Sequence, residues 1–412
     1  FINNEILVAN DAGVFKLNKG VDYSFKNSNG DLIQPTSLNR GMNTYEFYRT
    51  AVSGNTAVGN ADHNGIKYTQ NLNDSEPSWH NVNARNLGYG NNGLENDFVH
   101  KDIKNPDRCF VAYRDVSLLR LKIPFNRNRP NDLTEHHDSI VSVRPFTRFI
   151  DRSNCTKNGI VYANCNQYYN NLNYALGTFV QDPNKKSNTM LLSAYASSDN
   201  ARSINQEDEF FIKISKNGNL DHAVTRPTWE ISHNNGNIPI VSIAYSSDEN
   251  GKAYAIDESG KFLANSNVDG GENWVRKGQI QLKSSDETIR QLIVDQNATA
   301  NLFAISHEYV YKSSNEGLTW EVLSFNLQEN NKINTITQHH KNFNTYFVGT
   351  KRGVYRTKNS GLQWSLFGTE LPNADIMQLF VEGKYLYAVS FGRGLWRTDL
   401  ENPKRFFICR TR

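Results

Sequence analysis

The stretch AYAIDESGKFLANSNVDGGENW, residues 253–274, is the first of four related segments that decide the fold. The others begin at residues 302, 346 and 385 and read LFAISHEYVYKSSNEGLTW, YFVGTKRGVYRTKNSGLQW and YLYAVSFGRGLWRTDL. Each contains an alternating apolar run, a tight polar turn and a second alternating run, and the first three end in Gly-x-x-Trp. Successive tryptophans are 46 and 44 residues apart. A period near 45 with strand-like alternation predicts the blades of a β-propeller.

The turn before each tryptophan is similar to the Asp-box, Ser-x-Asp-x-Gly-x-x-Trp, of the sialidase-like and BNR-repeat propellers. The three copies are Asn267-Asp269-Gly271-Trp274, Ser313-Asn315-Gly317-Trp320 and Thr357-Asn359-Gly361-Trp364. Two have Asn in place of Asp. Asn and Asp bond their own backbone, Gly permits positive φ, and Trp fills the gap between blades. The resemblance implies that these residues are structural and that ligands bind at the opposite face.

Composition narrows the class of protein. The 412 residues carry a net charge of only +3, which does not favour a nucleic-acid partner. The content of hydrophobic residues is 38% and no apolar run reaches the roughly 18 residues of a membrane span. The sequence has no zinc-like spacing of Cys and His. We therefore expect no cofactor, no metal, no nucleic acid and no membrane span.

The cysteines and the sequons are the features of the sequence that indicate the cellular compartment of the protein. Cys155 and Cys165 flank a short segment that could fold back on itself, so a local disulfide is one expectation and reduced thiols the other. Asn-x-Ser/Thr sequons occur at Asn73, Asn154 and Asn297 and favour a secreted or cell-surface protein. The sequence begins with Phe1 and shows no signal peptide, so we expect a processed chain.

The whole chain, residues 1–412, is predicted to be one all-β propeller of four-stranded antiparallel blades. Seven nearly complete units and a partial first unit indicate eight blades, with seven as the alternative. Residues 139–173 are an inserted loop or an irregular blade. The tail, residues 401–412, supplies the missing inner strand of the first blade and closes the ring; alternatively, it is the outer strand of the last blade.

Propeller geometry places the turns between the second and third strands of each blade at one end of the central channel. That end is where sialidase-like relatives bind ligands. The candidate binding residues there, with two tyrosines of an Asn-rich loop, are Asp62, His63, Arg114, Asp115, His307, Arg352, Arg393, Tyr168 and Tyr169.

Two enzymatic interpretations use these turns. The three arginines resemble the triad with which sialidases hold a carboxylate, but no Tyr–Glu nucleophile pair can be placed. An inverting glycosidase like the Asp-box xyloglucanases needs two facing carboxylates, for which Asp11, Asp62, Asp115 and Asp257 are candidates by turn position.

No catalytic set is complete in the sequence. We therefore expect a recognition module of an extracellular or surface protein that binds a glycan or a protein through these turns and the long insertions. It could also belong to a larger assembly. The alternative is a glycoside hydrolase of the sialidase-like or xyloglucanase-like type.

Overall fold

The structure, a computed structural model, describes part of the chain. The described residues are 5–10, 13–18, 36–37, 47–61, 65–74, 77–81, 99–106, 108–113, 117–122, 140–143, 155–157, 160–162, 174–184, 186–196, 209–217, 229–247, 251–323, 327, 331–368, 371, 373–403 and 406–408. They form strands and turns but no helix. In particular, no part of them is a helix of the length and hydropathy that a membrane span requires.

The strands form seven four-stranded antiparallel sheets, numbered 1 to 7 here, together with a three-stranded sheet and a hairpin. The three-stranded sheet comes first and contains β1 (Glu5–Asn10), β2 (Gly13–Asn18) and β3 (Thr36–Ser37). Sheet 1 contains β4 (Phe47–Ser53), β5 (Thr56–Ala61), β6 (Gly65–Thr69) and β7 (His80–Asn81). Sheet 2 contains β8 (Val99–Lys101), β9 (Arg108–Tyr113), β10 (Ser117–Lys122) and β11 (Ile140–Val143). The hairpin is β12 (Cys155–Lys157) and β13 (Ile160–Tyr162).

The remaining sheets follow the same order. Sheet 3 contains β14 (Tyr174–Gln181), β15 (Met190–Ala196), β16 (Glu209–Ser215) and β17 (Glu230–Gly236). Sheet 4 contains β18 (Ile240–Tyr245), β19 (Ala253–Asp257), β20 (Lys261–Asn265) and β21 (Val275–Gln279). Sheet 5 contains β22 (Ile289–Val294), β23 (Leu302–Ser306), β24 (Val310–Ser313) and β25 (Glu321–Val322). Sheet 6 contains β26 (Ile333–Gln338), β27 (Tyr346–Thr350), β28 (Gly353–Thr357) and β29 (Ser365–Leu366). Sheet 7 contains β30 (Ile376–Glu382), β31 (Tyr385–Ser390), β32 (Gly394–Asp399) and β33 (Phe407–Ile408).

Consecutive sheets pack on one another to close a ring. The first strands of sheets 1 and 2 and of successive sheets from 3 to 7 are in contact, and β30 of sheet 7 contacts β4 of sheet 1. Sheets 2 and 3 meet through Phe110 and Phe179, whose ring centroids lie 4.9 Å apart. A ring of radially packed four-stranded sheets is a β-propeller, as predicted.

The count of eight blades is not confirmed. The direct packing of sheet 7 on sheet 1 favours the alternative of seven, because an intervening blade would have separated them. The tail also follows its alternative assignment: Phe407 pairs with Arg397 and Ile408 with Trp396, which makes β33 the outer strand of sheet 7. Its predicted pairing with the first blade is therefore wrong for these two residues, since the ring closes by side-chain packing instead.

Residues 139–173 are described in part. Ile140–Val143 is the outer strand of sheet 2, and a short hairpin pairs Cys155 with Tyr162. Cys165 lies outside the described residues, so the Cys155–Cys165 disulfide stays a prediction. Cys109 is a free thiol whose burial raises its pKa.

The second strand of each clear repeat is buried on both faces. All five residues of β19, β23 and β27 are buried. A blade is sandwiched between two neighbours, so both faces of its central strands leave water and an unbroken apolar run is favoured. The short outer strand β29, by contrast, is exposed.

The turns after β24 and β28 have the same hydrogen bonds. The hydroxyl of Ser313 accepts the amide of Gly317 at 2.8 Å, and the Asn315 side chain accepts the amide of Thr319 at 2.9 Å. Thr357 and Asn359 make the corresponding bonds to Gly361 and Gln363, at 3.0 Å each. The two turns therefore share one structure, as their spacing predicted. Membership of the Asp-box propellers stays a prediction.

The first copy of the turn differs from the prediction. Asn265, not Asn267, ends the third strand and accepts the next-but-one amide, as Ser313 does in sheet 5. The turn is thus two residues longer, and Asp269 accepts a hydrogen bond from Thr189 of sheet 3 instead of bonding its own turn. In sheet 1 the corresponding turn begins at Thr69, whose hydroxyl accepts the amide of Asn71 in the same way, and a longer loop leads to Trp79.

The tryptophans occupy equivalent gaps between sheets. Trp274 packs with residues of sheet 3, and its Nε1 donates to Ser232 at 2.9 Å. Trp320 lies 5.5 Å from the ring of Phe262 in sheet 4, and Trp364 donates to the carbonyl of Leu323 in sheet 5 at 3.1 Å. Each tryptophan therefore joins its own sheet to the preceding one.

Near the channel, side chains of one sheet bond the backbone of the next. In each of sheets 4 to 7, the side chain of the third residue of the first strand forms a hydrogen bond with the backbone of the next sheet. The partner there is the fourth residue of that sheet's first strand. The pairs are Ser242 Oγ to Leu292 O at 3.4 Å, Gln291 Oε1 from Ile336 N at 2.9 Å, Thr335 Oγ1 from Leu379 N at 3.3 Å and Gln378 Oε1 from Thr50 N at 2.8 Å. We call these bonds the inter-sheet series; the last one closes the ring.

A second set of bonds joins sheets at the opposite end of the channel. Gln181, which ends β14, donates to the carboxylate of Asp102 in sheet 2 at 3.0 Å, and Gln338 does the same to Asp295 in sheet 5 at 3.1 Å. Asp102 also pairs with Arg120 at 2.5 Å, and both side chains are buried. The Asp102–Arg120 pair is structural, because removing either partner would leave a buried charge unpaired.

We expect Gly317→Ala to lower the free energy of unfolding by about 2–4 kcal/mol, since a Cβ must adopt positive φ and would meet a packed ring. Gly317 has φ +82°, and an added Cβ would lie 2.2 Å from Phe262 Cε1. Gly383 has φ +56° with open space around it, so Gly383→Ala should cost only about 1–2 kcal/mol. Urea unfolding checks both; equal losses would contradict the packing role of the turn.

Gln378→Met should cost about 1–3 kcal/mol, because the buried Thr50 amide loses its acceptor while the side-chain volume is kept. Gln363→Met, at an exposed turn position, should stay within about 0.5 kcal/mol. The measurement is chemical denaturation of the whole chain. A Gln378 variant as stable as the Gln363 variant would show that the ring closes without this bond.

Candidate functional site

The mouth of the channel is the end where the first strands begin. In five sheets the second residue of the first strand is bulged out of the pairing, between the first and third residues. A bulge frees a side chain from the ladder and is common beside binding sites. The bulged residues are Tyr48, Val241, Arg290, Asn334 and Met377.

The predicted turns surround these bulges. Arg290 lies against His307 in the turn between β23 and β24 of the same sheet. Tyr48 lies against Phe391 of the neighbouring sheet, with ring centroids 5.9 Å apart. The expectation that turns between second and third strands lie beside the channel is therefore met at these two places.

Arg290 and His307 make the closest charged contact at the mouth. Nη1 of Arg290 is 2.7 Å from Nε2 of His307. Because a guanidinium only donates, Nε2 must be the acceptor and the imidazole proton lies on Nδ1. Nδ1 is buried and has no hydrogen-bond partner among the described residues. Burial, then the charges of Arg290 and Lys332, lower the pKa of His307, which keeps the ring neutral.

Backbone bonds hold this region to the next sheet. The carbonyl of His307 accepts the amide of Ile333 at 2.7 Å, and the carbonyl of Lys332 accepts the amide of Lys351 at 3.0 Å. Lys332 also pairs with Glu308 at 3.5 Å, both largely exposed. The turn of sheet 5, the link to sheet 6 and the turn of sheet 6 thus form one connected surface.

Three described carboxylates of the mouth are occupied by structural bonds. Asp257, with 0% exposure, accepts from the Ser259 hydroxyl at 2.7 Å and the Lys261 amide at 2.9 Å. Glu287, 7% exposed, accepts from the Tyr311 hydroxyl at 2.6 Å. Asp375 accepts from the Asn334 side chain. None of the three is a free acid or base for catalysis.

The structure places three of the predicted binding residues. His307 contacts Arg290, whereas Arg352 and Arg393 are exposed in the corresponding turns of sheets 6 and 7. The other predicted residues lie outside the described residues: Asp62, His63, Arg114, Asp115, Tyr168 and Tyr169. The arginine triad is thus described only at two positions, and its use stays a prediction. Within the described ranges, no three His, Cys, Asp or Glu side chains cluster as metal ligands.

Sequence reasoning missed the bulged residues and their neighbours, above all Arg290, Lys332, Asp375 and Phe391. A signal was present. The first strands begin IVSI, IRQL, INTI, IMQL and FYRT, from residues 240, 289, 333, 376 and 47. The shared order is a buried apolar residue, a variable residue, a side chain with a hydrogen-bonding group and a buried fourth residue. The variable residue is the one at the mouth.

Comparison with known proteins supports the fold. No protein-family model matches the sequence, and no curated protein matches it. Among solved structures, the extracellular domain of the one-component system BT4673 from B. thetaiotaomicron is similar, with a TM-score of 0.52 and 10% identity over 86% of this chain and 38% of that chain. YCF48 from Cyanidioschyzon merolae has a TM-score of 0.50 and 11% identity, covering 88% of this chain and 97% of its own. Sqt1 from Chaetomium thermophilum, bound to the N-terminus of ribosomal protein L10, has a TM-score of 0.50 and 10% identity, covering 88% of this chain and 86% of its own. These likenesses show the propeller fold alone.

Acidification should destabilise the chain partly through His307. Its folded pKa is below the unfolded value of about 6.5, so between the two the unfolded chain binds a proton that the folded chain does not. The stabilising contribution is present above about pH 6.5 and is lost as pH falls towards the folded pKa. Urea unfolding at about pH 7.5 and about pH 5 should show a smaller loss for His307→Gln than for the unaltered chain. Ser314→Gln, at an exposed position in the same sheet, should behave like the unaltered chain; the same loss in all three would contradict the assignment.

Proposed function

We propose that this chain is a non-enzymatic recognition module of an extracellular or surface protein, and that it binds a protein partner through the mouth. The observation that carries this proposal is the composition of the mouth. The aromatic pair of exposed Phe391 and half-buried Tyr48 shares the mouth with arginine and lysine side chains, while Asp257, Glu287 and Asp375 are used in structural bonds. Aromatic residues and arginine are the types enriched in protein interfaces.

The structural bonds of Asp257, Glu287 and Asp375 weigh against hydrolysis by these three groups. A glycosidase requires one carboxyl group that holds a proton and another that is ionised and unencumbered. Asp257 cannot serve, because it is fully buried and bonded on both oxygens. Of the predicted carboxylates, the glycoside hydrolase alternative therefore depends on Asp11, Asp62 and Asp115, which lie outside the described residues.

Two further observations support the proposal. The Sqt1 propeller, similar in fold, holds the N-terminus of another protein, so a propeller of this type can bind a peptide. The sequon residue Asn297 is exposed in the turn between β22 and β23, at the end of the channel away from the mouth. A glycan there would leave the mouth open, as an extracellular module needs.

The test is selection of random peptides displayed on phage against the purified chain. We expect enriched peptides that bind the unaltered chain and lose binding to Phe391→Asp, because the exposed ring is replaced by a charge. Leu362→Asp is the matched control, since Leu362 is 70% exposed in a turn at the other end of the channel. Its binding should be unchanged.

Chromogenic glycosides and a glycan array are applied to the same preparations. Turnover of a glycoside that is lost in Asp62→Asn or Asp115→Asn would establish the hydrolase alternative. Glycan binding without mouth-dependent peptide binding would replace the protein partner by a carbohydrate. Peptides that bind Leu362→Asp poorly and Phe391→Asp well would move the binding surface to the opposite end.

A further inference from the structure

The mouth carries an uneven distribution of charge. On sheets 5 and 6, Arg290, Lys332, Lys351 and Arg352 lie around His307, and the described carboxylates near them are Glu308 and Asp375. We call this set of four cations with His307 the basic ledge. On sheets 7 and 1, Phe391 and Tyr48 form an aromatic contact, and Arg393 is exposed in the same turn as Phe391.

The carboxylates near the basic ledge leave hydrogen-bond donors of its cations unused. Asp375 acts on Arg290 through its charge, and one of its oxygens accepts from the Asn334 side chain. Glu308 pairs with Lys332 at 3.5 Å, a loose contact between exposed groups that contributes little. Among the described contacts, Arg290 donates one N–H to His307. A guanidinium has five N–H groups, so a fork of donors remains for a ligand carboxylate.

His307 sets the direction of that fork. The neutral imidazole accepts from Nη1 of Arg290, and the backbone of His307 is bonded to Ile333. An acceptor on a fixed turn limits the rotation of a long side chain, which reduces the entropy lost when a ligand binds. His307 is therefore a positioning residue for Arg290.

From this arrangement we infer that the partner presents an extended acidic segment, with a Glu or Asp carboxylate gripped by Arg290 and a large apolar side chain on the Phe391–Tyr48 pair. The inference rests on the proposed function and names the chemistry of its partner. The aromatic pair at the same mouth favours a peptide over a simple polyanion, since a polyanion has no apolar group to place there. Attraction between the basic ledge and the acidic segment also speeds encounter and weakens with salt.

The experiment measures binding of a short fluorescein-labelled peptide of glutamates around one phenylalanine, by fluorescence anisotropy. Arg290→Gln should lower the affinity at least about tenfold, the effect of losing a charged hydrogen-bonded pair. Arg276→Gln is the matched control, because Arg276 is an exposed arginine on the outer strand of sheet 4. It should leave the affinity unchanged, and thermal melting confirms that both variants fold.

The role of His307 is tested separately. His307→Leu removes the acceptor and should weaken binding, whereas His307→Gln places an amide oxygen in reach of Arg290 and should restore most of the affinity. A purely structural role would instead lower the melting temperature of both variants without this difference in binding. Equal affinities of His307→Leu and His307→Gln would overturn the positioning role.

The failure of this inference differs from the failure of the proposed function. If peptides selected at the mouth depend on Phe391 but lack acidic residues, or if Arg290→Gln binds the glutamate peptide like the unaltered chain, the acidic partner is wrong and the recognition module stands. If a heparin fragment binds through Arg290 more tightly than the peptide does, the ligand is a polyanionic glycan instead. If no peptide depends on the mouth, both proposals fall.

Discussion

The hydrogen bonds from a side chain of one first strand to the backbone of the next hold the ring together near its axis. Each sheet is complete in itself, so no backbone ladder runs from sheet to sheet. Packing of apolar faces between sheets is strong but has no direction, whereas a hydrogen bond to a backbone amide fixes how far one sheet slides past its neighbour. The bond from the Thr50 amide to Gln378 joins residues 328 positions apart. It fixes the last sheet against the first, as the other bonds of the series fix each sheet against the next. With β33 on the outside of sheet 7, closure also relies on the cluster in which Phe47 and Trp79 pack against Tyr387.

The bulge and the inter-sheet series are two consequences of one constraint. In the first strands of sheets 4 to 7, the third residue must point at the following sheet and the first residue must stay in the core. The second residue, between them, is therefore bulged, and its backbone is out of the pairing with the second strand. Arg, Asn, Met, Tyr and Val all occur at this position while the flanking residues keep their character.

The repeats made the fold predictable because they are local. Alternating strands, a turn of fixed spacing and a tryptophan all lie within about twenty residues, and each has a physical reason that can be read in one segment. Closure was not predictable in this way, because it depends on contacts between residues far apart: Phe407 could have paired with either end of the ring on pattern alone. The first copy of the turn misled for a different reason. Asn265 and Asn267 are chemically the same, and only the end of the third strand shows which of them begins the turn. Of the site, the turn residue His307 was predicted, but Arg290 was hidden inside what looked like an ordinary strand.

The charged residues of the mouth would suggest catalysis rather than binding if Asp257 and Glu287 were free of structural hydrogen bonds. Catalysis by a pair of acids needs carboxyl groups that can reach a substrate. Asp257 and Glu287 are buried, and they hold the backbone amides and hydroxyls that shape the turns. Arg290 is in the opposite position: it is permanently charged, held by a neutral histidine and left with unused donors. A surface whose buried acids hold the turns, and whose Arg290 keeps unused donors, is suited to holding a partner of opposite charge.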